Sequence, residues 1–267
     1  MKRGLFVPPF GELAHPDVVG DLARRCEAAG WDGFFVWDHV LYGPPADQVL
    51  DPFVALAVAA ERTERLRLGA MVTPIPRRRP VVLARQLAAL DLLSEGRMTL
   101  GVGIGGDRHR EFSAFGEETD EVLRGRMLDE GLELVRALLS GETVRHVGTH
   151  YRADGVRLLP TPRQSPLPTW VGARWPNRRP LRRAAHYEGV FIIDVGDPRQ
   201  VAELCHVMAE LRDPGAAGDF DVVVDLPPDA PSEPWAEAGA TVVLTRIGQY
   251  GARLDEVRAI ADAGPGA

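Results

Sequence analysis

RMTLGVGIGGDRHREFSAFG, residues 97–116, decides how this chain is read. Met98 to Ile104 is a continuous apolar run of strand length, and it leaves into glycines and then into charged and aromatic residues. Gly101, Gly103 and Gly106 have no Cβ, so a flat ring or a phosphate could approach the backbone there more closely than beside any other residue. The spelling also fits G-x-G-x-x-G. A dinucleotide fingerprint must open a helix directly, and the next helical periodicity starts only near Leu123. The stretch therefore reads as a buried strand whose exit forms the floor and rim of a pocket.

The same unit recurs on both sides of it. Leu5 to Val7, the GFFVWDH run ending at Asp38-His39, and Leu66 to Val72 read as the preceding strands. Helices fill the gaps: Asp17 to Ala29 closed by Gly30, Phe53 to Thr63 opened by Asp51-Pro52, and a third from Pro80 to Gly96. Leu128, Leu132, Val135 and Leu139 give a fourth helix. Residues 142–168, with prolines at 160, 162, 166 and 168, break the rhythm and read as a short insertion with room for a small hairpin. Alternation resumes with strands at Thr169 to Gly172, Val190 to Ile193, Asp221 to Val224 and Thr241 to Leu244. Their helices are expected at Pro180 to Tyr187, after Asp197-Pro198, and around Leu254, Val257 and Ile260, while the seventh is degraded between Pro227 and Gly239. Strict alternation over some 250 residues predicts an α/β fold, a (β/α)8 TIM barrel with a short insertion between helix 4 and strand 5, as a single domain over 1–267. A doubly wound open sheet is the rival, disfavoured because no strand has a polar edge-like face.

Composition narrows the function. A formal net charge of -7 gives no support for nucleic acid or an anionic membrane as partner, and no segment approaches a membrane span. The opening MKRGLFVPPFGEL has too short an apolar run for a signal peptide. Cys26 and Cys205 fall on apolar helix faces, as for buried thiols in a reducing cytoplasm. A barrel brings its strand ends into one bowl: Phe10, Asp38-His39, Val72-Thr73, Gly103 to Asp107, Gly172 to Asn177, Asp194, Asp225 and Arg246. Paired carboxylates, a G-x-S-x-G elbow, H-E-x-x-H and a Walker lysine are all missing. Glycine, histidine and arginine suit a large planar, phosphorylated ligand better than nucleophilic catalysis. His39 could exchange a proton near neutral pH with Asp38 fixing its tautomer, although adjacent strand residues point to opposite faces and a merely packed imidazole is the plainer alternative. Asp38, His39, Asp107 and His109 lack the spacing of a metal site. Arg174 to Asn177, ahead of the helix at Pro180, could capture an anion. The Arg77-Arg78-Arg79 triplet reads more simply as a solvated basic face.

Five blocks carry a resemblance to a known family: GLFVPPFG (4–11), AAGWDGFFVWDH (28–39), the long run from Arg67 to Glu117, RGRMLDEGLELVRALLSGE (124–142) and PLPTWVGARWPNRRPLRRAAHYEGVF (166–191). Together the chain resembles the bacterial luciferase-like monooxygenase superfamily, (β/α)8 oxidoreductases that use FMN or F420. The resemblance implies a cofactor ring over the strand ends, with Phe10 and His39 beside it, His39 near its reactive edge and Gly103, Gly105 and Gly106 along its face. It also implies a non-proline cis peptide at Met71-Val72, near Thr73, backing the ring, and a phosphate loop at Gly172, Ala173, Arg174, Trp175 and Asn177. Members using F420 often carry an acid directly after the strand-four glycines, where this chain has Gly106 and then Asp107; a proton-donor role for Asp107 is the expectation it puts in question. FMN and F420 are not separated by the sequence. A small organic substrate and a homodimer are further implications. A barrel that binds the ligand without turnover, motivated by the degraded seventh unit, and a metal-assisted hydrolase on Asp38, His39 and Asp107 are the rivals.

Overall fold

The structure, a computed structural model, describes residues 1–213, 215, 218–248 and 250–266. The first four barrel strands are β1 (Lys2–Val7), β2 (Gly33–Val36), β3 (Arg67–Pro74) and β4 (Met98–Gly103). After α4 (Glu121–Leu139) the chain makes an antiparallel hairpin, β5 (Val144–Val147) and β6 (Arg152–Val156), before the barrel resumes with β7 (Thr169–Arg174), β8 (Gly189–Ile193), β9 (Asp221–Leu226) and β10 (Val242–Arg246). The eight barrel strands are all parallel and close in the order β1-β10-β9-β8-β7-β4-β3-β2, which rules out the open doubly wound sheet. The insertion is the expected hairpin. Glu130 on α4 ties it down, its carboxylate accepting the amides of Thr149, His150 and Tyr151 at 2.7–3.1 Å.

The remaining helices are α1 (Pro16–Ala28), α2 (Pro52–Glu61), α3 (Pro80–Leu93), α5 (Arg178–Ala184), α6 (Pro198–Leu211), α7 (Glu233–Glu237) and α8 (Leu254–Ala263). Their starts are set locally. Asp51 accepts the amides of Phe53 and Val54 at 2.9 and 3.0 Å with Pro52 in the first turn, and Asp197-Pro198 opens α6 in the same way. The seventh helix is indeed cut down, to five residues, and the fifth runs from Arg178 rather than from Pro180 because Asn177 caps it. No helix among the described residues is long and apolar enough to cross a membrane.

Two apolar layers hold the fold. The larger lies between strands and helices. The smaller fills the barrel with Phe6, Phe35, Met71, Trp170, Phe191, Val223, Val242 and Leu244. Large residues on some strands are seated over glycines on others: a Cβ at Gly4 of β1 would stand 3.0 Å from the Phe35 ring of β2, and one at Gly189 of β8 would stand 2.5 Å from the Trp170 ring of β7. Burying one such aromatic contributes about 1.5–3 kcal/mol, so this plug is a main source of stability.

Candidate functional site

The inner plug fixes which residues face the bowl at the carboxyl ends of the strands, because side chains alternate along a strand. Phe35 puts Trp37 and then His39 on the inner side. Trp170 does the same for Gly172 and Arg174, Phe191 for Ile193, Val223 for Asp225 and Leu244 for Arg246. Aromatic rings gather around His39: Phe10 at 5.7 Å between centroids, Trp37 at 6.0 Å and Tyr42 at 5.0 Å. Burial, with the Tyr250 ring nearby, pushes the Tyr42 hydroxyl up to about 12, so it stays protonated.

The carboxylate on His39 is not the one expected. Asp38 points away from the imidazole and is fully buried between two guanidinium groups, accepting from Arg77 Nη2 at 2.9 Å and from Arg78 Nη2 at 2.7 Å. Glu111 takes the role instead. Its Oε2 lies 2.7 Å from His39 Nδ1, and its Oε1 accepts the Val40 amide and Arg77 Nη1, both at 2.8 Å. Burial works to raise the Glu111 pKa, but the His39 hydrogen bond, Arg77 and the Val40 amide outweigh it and hold the carboxyl below its ordinary range. An ionised Glu111 fixes the proton of a neutral His39 on Nδ1 and leaves Nε2 as the exchanging nitrogen. Arg77, whose side chain is only 6% exposed, bridges Asp38 and Glu111 and so clamps the exits of β2, β3 and β4 together. The arginine triplet is thus no solvated face: two of its three members are the counter-ions of the site.

Asp107 is also reassigned. Its Oδ1 accepts the amides of Phe112 and Ser113 at 2.8 and 3.1 Å, and these amides, Phe112 first, hold its carboxyl below the usual range. It folds the loop that delivers Glu111. Phe112, fully buried next to Glu111, carries the Arg124 guanidinium on its face at 4.4 Å.

The glycines have a more particular duty than clearing space. The Met71–Val72 peptide is cis, as the resemblance implies, and the β3–β4 register shifts between Ala70 and Thr73, so both Met71 and Val72 pack on the inner plug. A Cβ at Gly103 would lie 2.8 Å from one Val72 methyl, and a Cβ at Gly172 would lie 3.0 Å from the other. The expectation of a ring lying directly along Gly103 is corrected: Val72 fills that place. Gly105, with φ of +72°, makes way for the Phe112 ring and Pro74, whereas Gly106 has nothing within 4 Å of its Cβ position and is open to a ligand. Thr73, in register with Val102 of the outer layer, turns from the bowl with its hydroxyl buried and unpaired among the described residues, and Ala173 also packs outward.

At the exit of β7, Arg174 is exposed and paired with Asp194, Trp175 packs on the outer core, and Asn177 caps α5 through the Arg179 amide at 3.2 Å. Arg183 belongs to Asp129 on α4 and not to an anion site. Cavities of about 360 Å³ beside Leu132 and Leu167, and about 600 Å³ beside Arg79 and Tyr151, lie on the outside of the barrel and do not include His39. Among the described residues no three His, Cys, Asp or Glu side chains converge as metal ligands, so Asp38, His39 and Asp107 do not form the set a metal-assisted hydrolase would use. A planar ring with carbonyl oxygens does fit. Gly106 is open, Val72 offers a flat apolar support, and Trp37 Nε1 is a buried donor without an acceptor among the described residues. Glu111 and Arg77 were missed as site residues because no spacing joins them to His39; the one signal was a charged cluster, DRHRE, directly after a glycine-rich strand exit.

Comparison with known proteins gives the family and the fold. The family described as luciferase-like monooxygenase matches residues 1–262. An F420-dependent glucose-6-phosphate dehydrogenase of Amycolatopsis mediterranei is 34% identical over 167 residues, a match that covers 60% of this chain and 49% of that protein. This chain thus spans about half the length of that relative. An F420-dependent hydroxymycolic acid dehydrogenase of Mycobacterium tuberculosis is 32% identical over 223 residues, 81% of this chain and 61% of the other. In three dimensions the F420-dependent tetrahydromethanopterin reductase of Methanopyrus kandleri superposes with a TM-score of 0.77 over 98% of both chains, at 16% identity.

Proposed function

The chain belongs to the luciferase-like monooxygenase family, and on that premise we propose that it is a flavin- or F420-dependent oxidoreductase acting on a small organic substrate. When bound, F420 or FMN supplies the hydride chemistry, and FMN the activation of oxygen, that no side chain of this protein can perform. The observation that carries the reading is His39, held by Glu111 at 2.7 Å with its ring among Phe10, Trp37 and Tyr42 on the inner side of the bowl. Moving a hydride to or from a carbon that bears oxygen requires a proton to arrive at or leave that oxygen. His39 Nε2 gives or takes it, Glu111 keeps the ring oriented and stabilises the imidazolium, and Arg77 keeps Glu111 ionised. Phe10, Met71 and Val72, with the open backbone at Gly106, would hold the ring. Gly172, Arg174, Trp175 and Asn177 would meet the phosphate, Arg174 by exchanging Asp194 for it. The geometry favours neither FMN nor F420.

Titrating the purified protein with FMN and with F420, then adding reductant and oxygen, tests this reading. One of the two is expected to bind with a spectral shift and to be turned over; binding of neither would overturn it. Binding without turnover would leave a silent barrel.

The chain is also read as a homodimer. On α2 and α3, which pack side by side, Val54 is 49%, Val82 48% and Leu93 40% exposed, apolar surface that a second copy could cover. Sedimentation equilibrium is expected to give twice the chain mass, and a single-chain mass at micromolar concentration would count against the pairing.

A further inference from the structure

One polar pair in the bowl has no part in holding the fold's charged rim together. Asp225, at the end of β9, follows Val223 of the inner plug by two residues and is in register with Leu244, also of the plug; Arg246, at the end of β10, is in register with Phe6. Both side chains therefore face inward. Asp225 Oδ2 accepts from Arg246 Nη1 at 2.7 Å, but Oδ1 has no donor among the described residues although the side chain is only 3% exposed. Asp38, Glu111, Asp107 and Asp194, other carboxylates near the mouth, also accept from guanidinium groups or amides, but none of them has a buried oxygen without a donor among the described residues. An unpaired, buried carboxylate oxygen is disfavoured unless something brings it a hydrogen. Burial outweighs Arg246 and raises the Asp225 pKa above its ordinary value, in keeping with an acceptor that lacks its donor. Arg246 spends a single N–H on this pair among the described residues, and its side chain is 35% exposed, which leaves the rest of its fork open to the bowl. In the ring of eight strands β9 is diametrically opposite β3, where Val72 is wedged.

We propose that Asp225 and Arg246 form the anchor for the second reactant, taking a small substrate that carries a hydroxyl beside another oxygen, a vicinal diol or a hydroxycarboxylate. The hydroxyl donates to Asp225 Oδ1 and the neighbouring oxygen accepts from the free arm of Arg246. A ligand with one isolated hydroxyl satisfies only half of the pair, and a hydrocarbon none, so the pair selects by chemistry and not by size. This rests on the oxidoreductase reading above, since it assigns the wall facing the cofactor side of the same bowl.

Ligand-observed saturation-transfer NMR on the full chain, with and without the cofactor that binds, tests it using propane-1,2-diol, lactate and propan-1-ol as probes. Signals for the diol or for lactate are expected to exceed those for propan-1-ol, and their apparent affinity to fall about tenfold or more in Asp225→Asn and in Arg246→Gln. A preference for the diol over lactate would point to neutral diols, the reverse to hydroxy acids. Equal signals for all three probes, or signals unchanged in both variants, would overturn the proposal. Circular dichroism checks each variant; if Asp225→Asn does not fold, Arg246→Gln carries the test alone. Failure of both cofactors to bind while the probes still discriminate removes the oxidoreductase reading and leaves the anchor standing, and cofactor binding with indifferent probes does the opposite.

Discussion

Replacing Asp38 by alanine is expected to cost about 3–5 kcal/mol of unfolding free energy, near the top of the range for a point change. The reason is what it leaves behind. Asp38 has a fully buried side chain and neutralises two guanidinium groups, of which Arg78 is 15% exposed and Arg77 only 6%. Arg78 can turn outward from its place over Phe53 and regain water; Arg77 cannot, and it is left sharing Glu111 alone. Desolvating both partners means that the intact network adds little net stability over an apolar core, yet breaking one member is severe because a charge stays buried without its counter-ion. Urea unfolding of wild type and Asp38→Ala, followed by tryptophan fluorescence, measures the difference, and a loss below about 1 kcal/mol would show that the pairs are not the clamp described here.

His39→Ala is expected to behave in the opposite way. The side chain is 26% exposed and Glu111 keeps Arg77 and the Val40 amide without it, so removing it should leave the fold intact and cost about 1–3 kcal/mol for the one Glu111 oxygen left without its partner, less than Asp38→Ala. Turnover with the bound cofactor should fall by about 10² to 10⁴, the usual worth of a positioned proton donor or acceptor. Unaltered turnover would mean that the imidazole only packs against Phe10 and Tyr42. The two variants separate the network's halves: one side of Arg77 holds the barrel mouth together, the other holds a proton in place.

Most of the barrel could be read in the chain because its signals are local. Asp51-Pro52 and Asp197-Pro198 are capping sequences whose hydrogen bonds span three residues, and the buried strands announce themselves by unbroken apolar runs. The partners in the site are of another kind. His39 and Glu111 are 72 residues apart, and nothing in either neighbourhood states that the exits of β2 and β4 will be drawn together over Arg77. Asp38 misled for the same reason: sequence adjacency to His39 put it on the other face of the strand, where the arginines from β3 were waiting. Gly103 was read as a place where a ring could approach the backbone and Gly172 as part of a phosphate loop; what lies against both is Val72 of β3, a contact that exists only once the strands have closed.

Val72 gives that closure a further meaning. Its two methyl groups rest on Gly103 and Gly172, so its height is set by backbone atoms of two other strands and not by its own rotamer. On the function proposed above it would act as a depth gauge: a flat ligand lying across the mouth would come to rest at a level fixed by the size of residue 72, with His39 on one side and Asp225 on the other. A smaller residue there would let a flat ligand sink and a larger one would lift it. The distance between hydride donor and acceptor would change while every group that touches the reacting atoms stayed in place.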